Sequence, residues 1–325
     1  MPRGDAIVLR EQGAPEVLRL EQKDFGDPGP GQVLIRQHAA GVNFHDVYVR
    51  SGSYQTLKLP GIPGLEAVGT IEAVGEGVSE FAPGQRAAWM DGGYGGYSQW
   101  KVADAKICVP VPDGVDDLTA AAIYLKGLTA HALATGVHPL APGMRVLVHA
   151  AAGGVGRLLA QMARARGCLV IGTAGSPEKA ASASAAGCDK VILYREEDVA
   201  SRVGELTGGK GVNVAYDAVG RDTFEGSLAS LGLRGHLVNY GQASGPIPPF
   251  EISRLASRSL SLTRPFVWAY VETPDRLRAA AASLFGAIAD GSLKIEIGGV
   301  FPLADAARAH AALEAREHGP FVLKC

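Results

Sequence analysis

Cysteine is scarce in this 325-residue chain: Cys108, Cys168, Cys188 and Cys325 are far apart and form no C-x2-C pair. That spacing excludes a disulfide framework and a clustered structural zinc lobe; it reads as small buried hydrophobes plus one terminal thiol. An excess of one charge is also missing. Lys and Arg number 31 against 33 Asp and Glu, a formal net charge of −2 with no basic stripe. Nucleic acid as the main ligand is therefore not expected, because phosphate binding needs clustered cations. No apolar run reaches the roughly 18 residues of a membrane span, and the opening "MPRGDAIVLREQG" has no apolar signal core. The expectation is a cytoplasmic protein. Its length suits about two domains.

What is present has a clear order. Up to about residue 121, short alternating apolar runs broken by Gly and Pro read as strands, among them "QVLIRQHAAGV", "GTIEAVG", "QRAAWM" and "YSQWKVA". This predicts an irregular all-β unit. "DDLTAAAIYLKGLTAHALA" is the first strongly helical stretch, with Asp116 or Asp117 near its N-cap. Strands and helices then alternate: "RVLVHAA", "VGRLLAQMARARG", "CLVIGTA", "SPEKAASASAAG", "KVILY", "VNVAYDAVG" and "GHLVNYG". Such alternation predicts a parallel sheet with helices on both faces. After "SLSLTRP" the pattern is mixed, with two helical runs and a last strand "PFVLKC". The predicted α/β domain, 122–264, is inserted between 1–121 and 265–325.

The strongest local signal is "VHAAAGGVGRLLAQMA": strand, glycine-rich turn, helix. From Ala151 it is a G-x-G-x-x-G with Ala at the first position, leading through Gly153, Gly154 and Val155 to Gly156. Gly153 lets backbone approach a pyrophosphate, Gly156 lets the helix pack on the strand, and the helix N-terminus offers N–H donors and a positive dipole end. An NAD-preferring site carries an acid at the end of the second strand. Here Ala174 stands 18 residues beyond Gly156, followed by Gly175, Ser176 and, further on, Lys179. With no acid to repel it, a 2′-phosphate is accepted; Lys179 supplies a cation, Ser176 a donor, and Tyr194 can close over the same pocket. The competing reading makes Lys179 a solvated helix residue and Tyr194 a core edge. The pattern favours NADPH.

"GLEAVGTIEAVGEGV" has the spacing of the medium-chain alcohol dehydrogenase signature, with Leu65 where the zinc-binding His would stand. Together with "GVNFHDVYVRSGSY", "LKGLTA", "HAAAGGVG", "GTAGSPEKAASASAAG", "ILYREED", "YDAVGRDTFEGSL" and "LTRP", it makes the chain resemble the zinc-independent quinone oxidoreductases of the medium-chain dehydrogenase/reductase superfamily, related to zeta-crystallin. The resemblance implies an α/β fold, a doubly wound parallel Rossmann domain inserted in a GroES-like, mainly β catalytic domain. It also implies a homodimer formed through edge strands, with "GHLVNYG" and "SLSLTRP" as candidates. Zinc is not expected, since Asn43, Leu65 and the Leu125–Lys126 pair replace its three ligands while Glu66 remains. His45 next to Asp46 reads as a hydrogen-bonded pair and not as a new metal site.

The implied activity is hydride transfer from NADPH to a quinone in the interdomain cleft. A quinone is already electron-poor and needs no Lewis acid, unlike an alcohol. By the same resemblance Asn43, Asp46, Tyr48 and Tyr54 surround the nicotinamide and acceptor, Asn43 also touching the cofactor. Lys126 and Thr129 lie beside the nicotinamide ribose. Val219, Tyr240, Gly241, Phe266 and Val267 line the cofactor groove, and Arg316 lies near the cofactor. Phe266, Trp268 and Tyr270 either narrow the substrate entrance or belong to the core. Two other functions stay open: an NADPH-dependent enone or alkenal double-bond reductase, with Tyr54 as proton donor, and a cofactor-binding protein without turnover.

Overall fold

The computed structural model describes residues 1–317 and 319–325. The chain divides into two compact units, Met1–Leu125 with Thr273–Cys325, and Lys126–Glu272. Among the described residues, no helix is long and apolar enough to cross a membrane.

In the first unit, β1 (Arg3–Leu9) pairs antiparallel with β2 (Leu18–Asp24). Then follow β3 (Gln32–Val42), α1 (Phe44–Ser51), β4 (Glu66–Val74), β5 (Arg86–Met90), β6 (Trp100–Asp104), β7 (Cys108–Pro110) and α2 (Asp117–Ala132). Asp116 caps α2, accepting the Thr119 N–H at 2.9 Å. Asp117 instead pairs with Arg86 and His38, at 2.6 and 2.7 Å.

The second unit runs β8 (Arg145–Val148), α3 (Gly154–Ala165), β9 (Leu169–Ala174), α4 (Pro177–Ala185), β10 (Lys190–Leu193), α5 (Val199–Leu206), β11 (Val212–Asp217), α6 (Phe224–Ser230), β12 (Leu231–Asn239) and β13 (Ser261–Thr263). All pairings in its sheet are parallel, in the order β10-β9-β8-β11-β12-β13. Counted along the chain this is 3-2-1-4-5-6, the doubly wound dinucleotide-binding order, and the order reverses between β8 and β11. Leu147, Ile171, Ile192, Phe224 and Leu237 form its core. One sequence expectation needs correcting. β12, which contains most of "GHLVNYG", is flanked by β11 and β13, so its backbone groups are already paired and it is not an edge; β13 is.

The chain then returns to the first unit through α7 (Pro274–Ala289), β14 (Gly299–Pro302), α8 (Ala306–Glu314) and β15 (Phe321–Lys324). β15 pairs antiparallel with β3, completing a seven-stranded sheet ordered β14-β15-β3-β4-β5-β7, with β6 also paired to β3. Ile7, Ile35, Trp89, Tyr97 and Phe321 pack in its core. Burying rings of this size stabilises by roughly 25 cal/mol per Å² of apolar surface. The one polar atom of Trp89 is satisfied, its Nε1–H donating to Gln37 Oε1 at 2.9 Å.

The first unit is less purely β than the sequence predicts, because α1 interrupts it. Its residues, "FHDVYVRS", are β-branched or aromatic at half the positions and favour a helix only weakly. The helix is set by its ends. Asp46 Oδ2 reaches back to the Asn43 N–H at 2.9 Å, and Gly52 stops the helix at φ 87°.

The returning segment is tied to α1 by a buried polar chain. Tyr97 donates its hydroxyl to Asp46 Oδ2 at 3.2 Å and lies 3.0 Å from His310 Nε2. Arg50, almost fully buried, makes a two-pronged pair with Glu314 at 2.9 and 2.7 Å. Burial, with the Arg50 charge adding to it, pushes the His310 pKa down to about 3. The unfolded imidazole titrates near 6.5, so between these values the unfolded chain binds the extra proton and stability falls with pH. We expect urea unfolding to show a loss on the order of 4 kcal/mol from His310 as pH drops from about 6.5 towards 3. His310→Gln keeps a partner for Tyr97 but cannot titrate, and should flatten that part of the profile. An unchanged slope in the variant would assign the acid sensitivity elsewhere.

Candidate active site

Glu66 organises the first unit's half of the candidate site. It is fully buried at the start of β4. Its Oε1 accepts the Asn43 amide at 2.8 Å, and its Oε2 accepts the Leu125 backbone N–H at 2.6 Å. Gly41 is required here: a Cβ on it would lie 2.2 Å from Glu66 Oε1 and 2.5 Å from the Ala121 carbonyl. A buried carboxylate needs such donors, and hydrogen bonds to charged groups are the stronger kind. Leu65 is 1% exposed and packs as a core leucine. Among the described residues, no three His, Cys, Asp or Glu side chains are grouped to hold a metal ion.

The structure gives the four predicted catalytic residues two kinds of place. Asn43 and Asp46 are buried and engaged within the protein, Asn43 with Glu66 and Asp46 with the Asn43 N–H and Tyr97. Tyr48 and Tyr54 are half-buried, with ring centres 5.0 Å apart. His45 packs edge-on against Tyr54 at 5.2 Å. Its Nε2 meets the Tyr94 hydroxyl at 3.1 Å, and that hydroxyl is also bonded to Thr56. Asp46 turns inward to the helix cap while His45 turns to Tyr94, so the expected His45–Asp46 pair does not form. Burial holds the His45 pKa near 4, so this imidazole is neutral at pH 7 and makes the wall of the cluster uncharged.

In the second unit the predicted cofactor residues gather at the carboxyl ends of the parallel strands. Gly153 caps α3 without a side chain, so it leaves the first-turn N–H groups for a ligand. A Cβ on Gly156 would lie 2.3 Å from the Ala150 carbonyl, and one on Gly154 would lie 2.8 Å from Lys126 Cδ. At the end of β9, a Cβ on Gly175 would lie 2.7 Å from the Tyr194 hydroxyl, so glycine lets Tyr194 lie across this turn. Ser176 caps α4 and accepts the Lys179 N–H at 3.3 Å. Glycine, hydroxyls and a lysine therefore meet here with Ala174 in the acid's position. This donor set fits a dinucleotide carrying a 2′-phosphate.

Asp217 holds both strand-end loops, Val219 through its buried carboxylate and Gly241 through its backbone carbonyl. Asp217 Oδ1 accepts the N–H of Val219 at 2.7 Å, the N–H of Gly220 at 3.0 Å and the Thr223 hydroxyl at 2.8 Å. Its backbone carbonyl accepts the Tyr240 N–H at 2.8 Å, and a Cβ on Gly241 would lie 2.4 Å from the Ala218 carbonyl. His149, fully buried, lies 2.9 Å from the Ser227 hydroxyl and 3.2 Å from that of Thr173, and burial lowers its pKa. Thr129 is half-buried on α2. Val267 is half-buried, whereas Phe266 is 62% exposed and stacks on Trp268 at 4.8 Å. Arg316 is exposed, with φ 57°, after α8.

The N-terminal part matches the alcohol dehydrogenase GroES-like domain over residues 29–113. Residues 154–284 match the zinc-binding dehydrogenase model. The chain is 46% identical to a quinone oxidoreductase of Pseudomonas aeruginosa, covering 95% of this chain and 96% of that protein. It is 40% identical to a 2-haloacrylate reductase of a Burkholderia species, covering 96% of each. The crystal structure of Escherichia coli quinone oxidoreductase complexed with NADPH superposes with a TM-score of 0.96 at 39% identity, over 99% of this chain and 100% of that one. The chain belongs to the quinone oxidoreductase family of the medium-chain dehydrogenase/reductases.

Family membership gives the Glu66 geometry a context. The family's zinc-bearing cousins are expected to place a Cys at position 43 and a His at 65; here the carboxylate between them accepts the Asn43 amide and the Leu125 N–H. Sequence reading found Glu66 but not its partners. It missed His149, Thr173 and Asp217 altogether. The available signal was Asp217 directly before the "AVG" turn at the end of a buried strand, where a carboxylate commonly gathers loop N–H groups.

Removing the Asn43 amide leaves one Glu66 oxygen short of a donor in a dry site. Asn43→Ala should cost about 1–3 kcal/mol in urea unfolding. Asn43→Asp should cost more, by placing two carboxylates together. Wild-type stability in both variants would show that the Glu66 contact carries no weight.

Proposed function

We propose that the chain is an NADPH:quinone oxidoreductase that transfers hydride without a metal. The observation that carries this reading is the state of Glu66: both of its oxygens are bonded to Asn43 and Leu125, and its neighbour is Leu65. The positions that would ligate zinc supply an amide and an alkyl group, neither a zinc ligand of the usual kind. Bound NADPH supplies a two-electron hydride at its dihydronicotinamide ring. The protein's part is to bind, align and protonate. The α3 N-terminus and its glycines hold the pyrophosphate, and Ser176, Lys179 and Tyr194 hold the 2′-phosphate. Lys126, Thr129, Val219, Tyr240, Gly241, Phe266, Val267 and Arg316 complete the cofactor's surroundings. Tyr48 and Tyr54 stack on a flat acceptor, and Tyr54 donates a proton as the reduced carbonyl oxygen gains charge. Asn43 and Asp46 act as positioning residues, one holding Glu66 and the other capping the helix that carries Tyr48. A quinone takes the hydride and a proton to become a hydroquinone, with charge delocalised over the ring, so alignment supplies most of the catalysis.

An edge strand of the second unit's sheet, β13, supports a homodimer built by strand pairing, and sedimentation should give twice the chain mass; a monomer would remove that part of the proposal. Four free cysteines, three of them buried, support a reducing, cytoplasmic compartment.

The decisive assay follows NADPH oxidation after exhaustive chelation, with 1,4-benzoquinone and 2-cyclohexenone side by side. Turnover of the quinone is expected to survive chelation. Turnover of the enone alone would move the protein to the double-bond reductases, and tight NADPH binding with no acceptor consumed would make it a binding protein. In the same assay Lys179→Glu should raise the KM for NADPH by about tenfold or more while leaving NADH nearly unchanged, the signature of a lost phosphate contact. An equal loss with both cofactors would move Lys179 out of the 2′-phosphate pocket.

A further inference from the structure

At the opposite, amino-terminal end of the second unit's sheet lies a cleft of about 520 Å³. It opens where β8, β11 and β12 begin, at Arg145, Gly211 and Leu231. Three cations line it, Arg145, Lys210 and Arg258, and no Asp or Glu does. The guanidinium groups are fixed by neutral partners. Arg145 Nε donates to the Gly211 carbonyl at 2.6 Å. Arg258 donates to the carbonyls of Leu228 at 2.9 Å and Ala229 at 3.1 Å, and also to that of Leu231. Carbonyls orient a guanidinium but leave its charge uncompensated, and none of the three cations pairs with a carboxylate among the described residues. Only Nε of Arg145 is engaged in this way, so its terminal N–H groups stay available as a planar fork.

Lys210 is presented by a loop built for that placement. In "TGGKG", Gly208, Gly209 and Gly211 all have positive φ, at 58°, 75° and 66°. The loop packs backbone on backbone: a Cβ on Gly232 would lie 2.3 Å from the Lys210 carbonyl, and one on Gly211 would lie 2.6 Å from the Gly232 nitrogen. Leu233 on the rim is 73% exposed. The cleft has the size of a small-molecule site.

We propose that this cleft is a second ligand site, separate from the dinucleotide loop, that takes a small organic anion through a phosphate or carboxylate group. Arg145 and Lys210 bind the oxyanion and Leu233 covers the organic part.

The test is calorimetric titration of the NADP⁺-saturated protein with inorganic pyrophosphate and, separately, with succinate, at matched ionic strength. Saturation with NADP⁺ keeps the probes off the phosphate loop. One of the two should bind with a Kd below about 1 mM, and which one does so identifies the oxyanion. Two variants locate it. Gly204 lines the cleft on α5, and a Cβ there meets nothing within 4 Å, so Gly204→Glu adds an acid without a clash. Lys210→Glu reverses an exposed charge. Each should weaken binding about tenfold or more, the cost of placing like charge beside the anion, with the thermal midpoint retained. Lys179→Glu should leave it unchanged. Binding lost in Lys179→Glu but not in Gly204→Glu would return the anion to the dinucleotide site and overturn the proposal, as would no binding of either probe at 10-fold that concentration (about 10 mM).

Discussion

A buried carboxylate must find donors, and in the first unit that requirement falls on Glu66. Its two oxygens join the residue before α1 to the middle of α2, with β4 between. The surroundings are fitted to that contact. Gly41 is bare because any side chain would collide with Glu66, and Asn43 presents its amide there because its own backbone N–H is held by Asp46. Asp46 in turn receives Tyr97, and Tyr97 meets His310 from the returning segment. A chain of hydrogen bonds thus runs from the candidate catalytic residues to α8, which explains why residues far along the sequence belong to the same compact unit.

The residues at 43 and 65 each suit a buried carboxylate without a metal beside it. With a thiolate at 43 and no metal, Glu66 would face a second negative charge in a dry site, which raises the energy of both ionised groups. An amide removes the charge and adds a donor. With a metal absent, an imidazole at 65 would need its own partners while buried; leucine needs none and fills the core. Asn43 and Leu65 are therefore the neutral and the apolar answer to a carboxylate that stayed.

The second unit solves a related problem with Asp217. Three loop N–H or O–H groups and the neighbouring Ser227 converge on it, Ser227 at 3.3 Å and itself beside His149. These bonds shape the strand ends where the sheet order reverses, which is where a dinucleotide binds in this topology. The burial that lowers the His149 pKa keeps the network free of a further positive charge below the phosphate loop.

Much of this architecture was legible because it rests on periodicity and punctuation. The strand β3 is the quoted run "QVLIRQHAAGV" end to end, and α3 and α4 stop before Gly167 and Gly187, both at positive φ. The glycine motif and the missing acid at Ala174 were local patterns too. What stayed hidden depends on partners far away in sequence. The Asn43–Asp46 cap of α1 is a local pattern, but nothing around His45 indicates that it turns from its neighbour Asp46 to Tyr94, 49 positions on. Glu66 could be noticed from its spacing, but a donor to its Oε2 is the backbone N–H of Leu125, a group every non-proline residue has. Sequence marks side chains that differ from expectation. It does not mark which ordinary backbone N–H the fold will bring beside them, and in this protein that ordinary group completes the site.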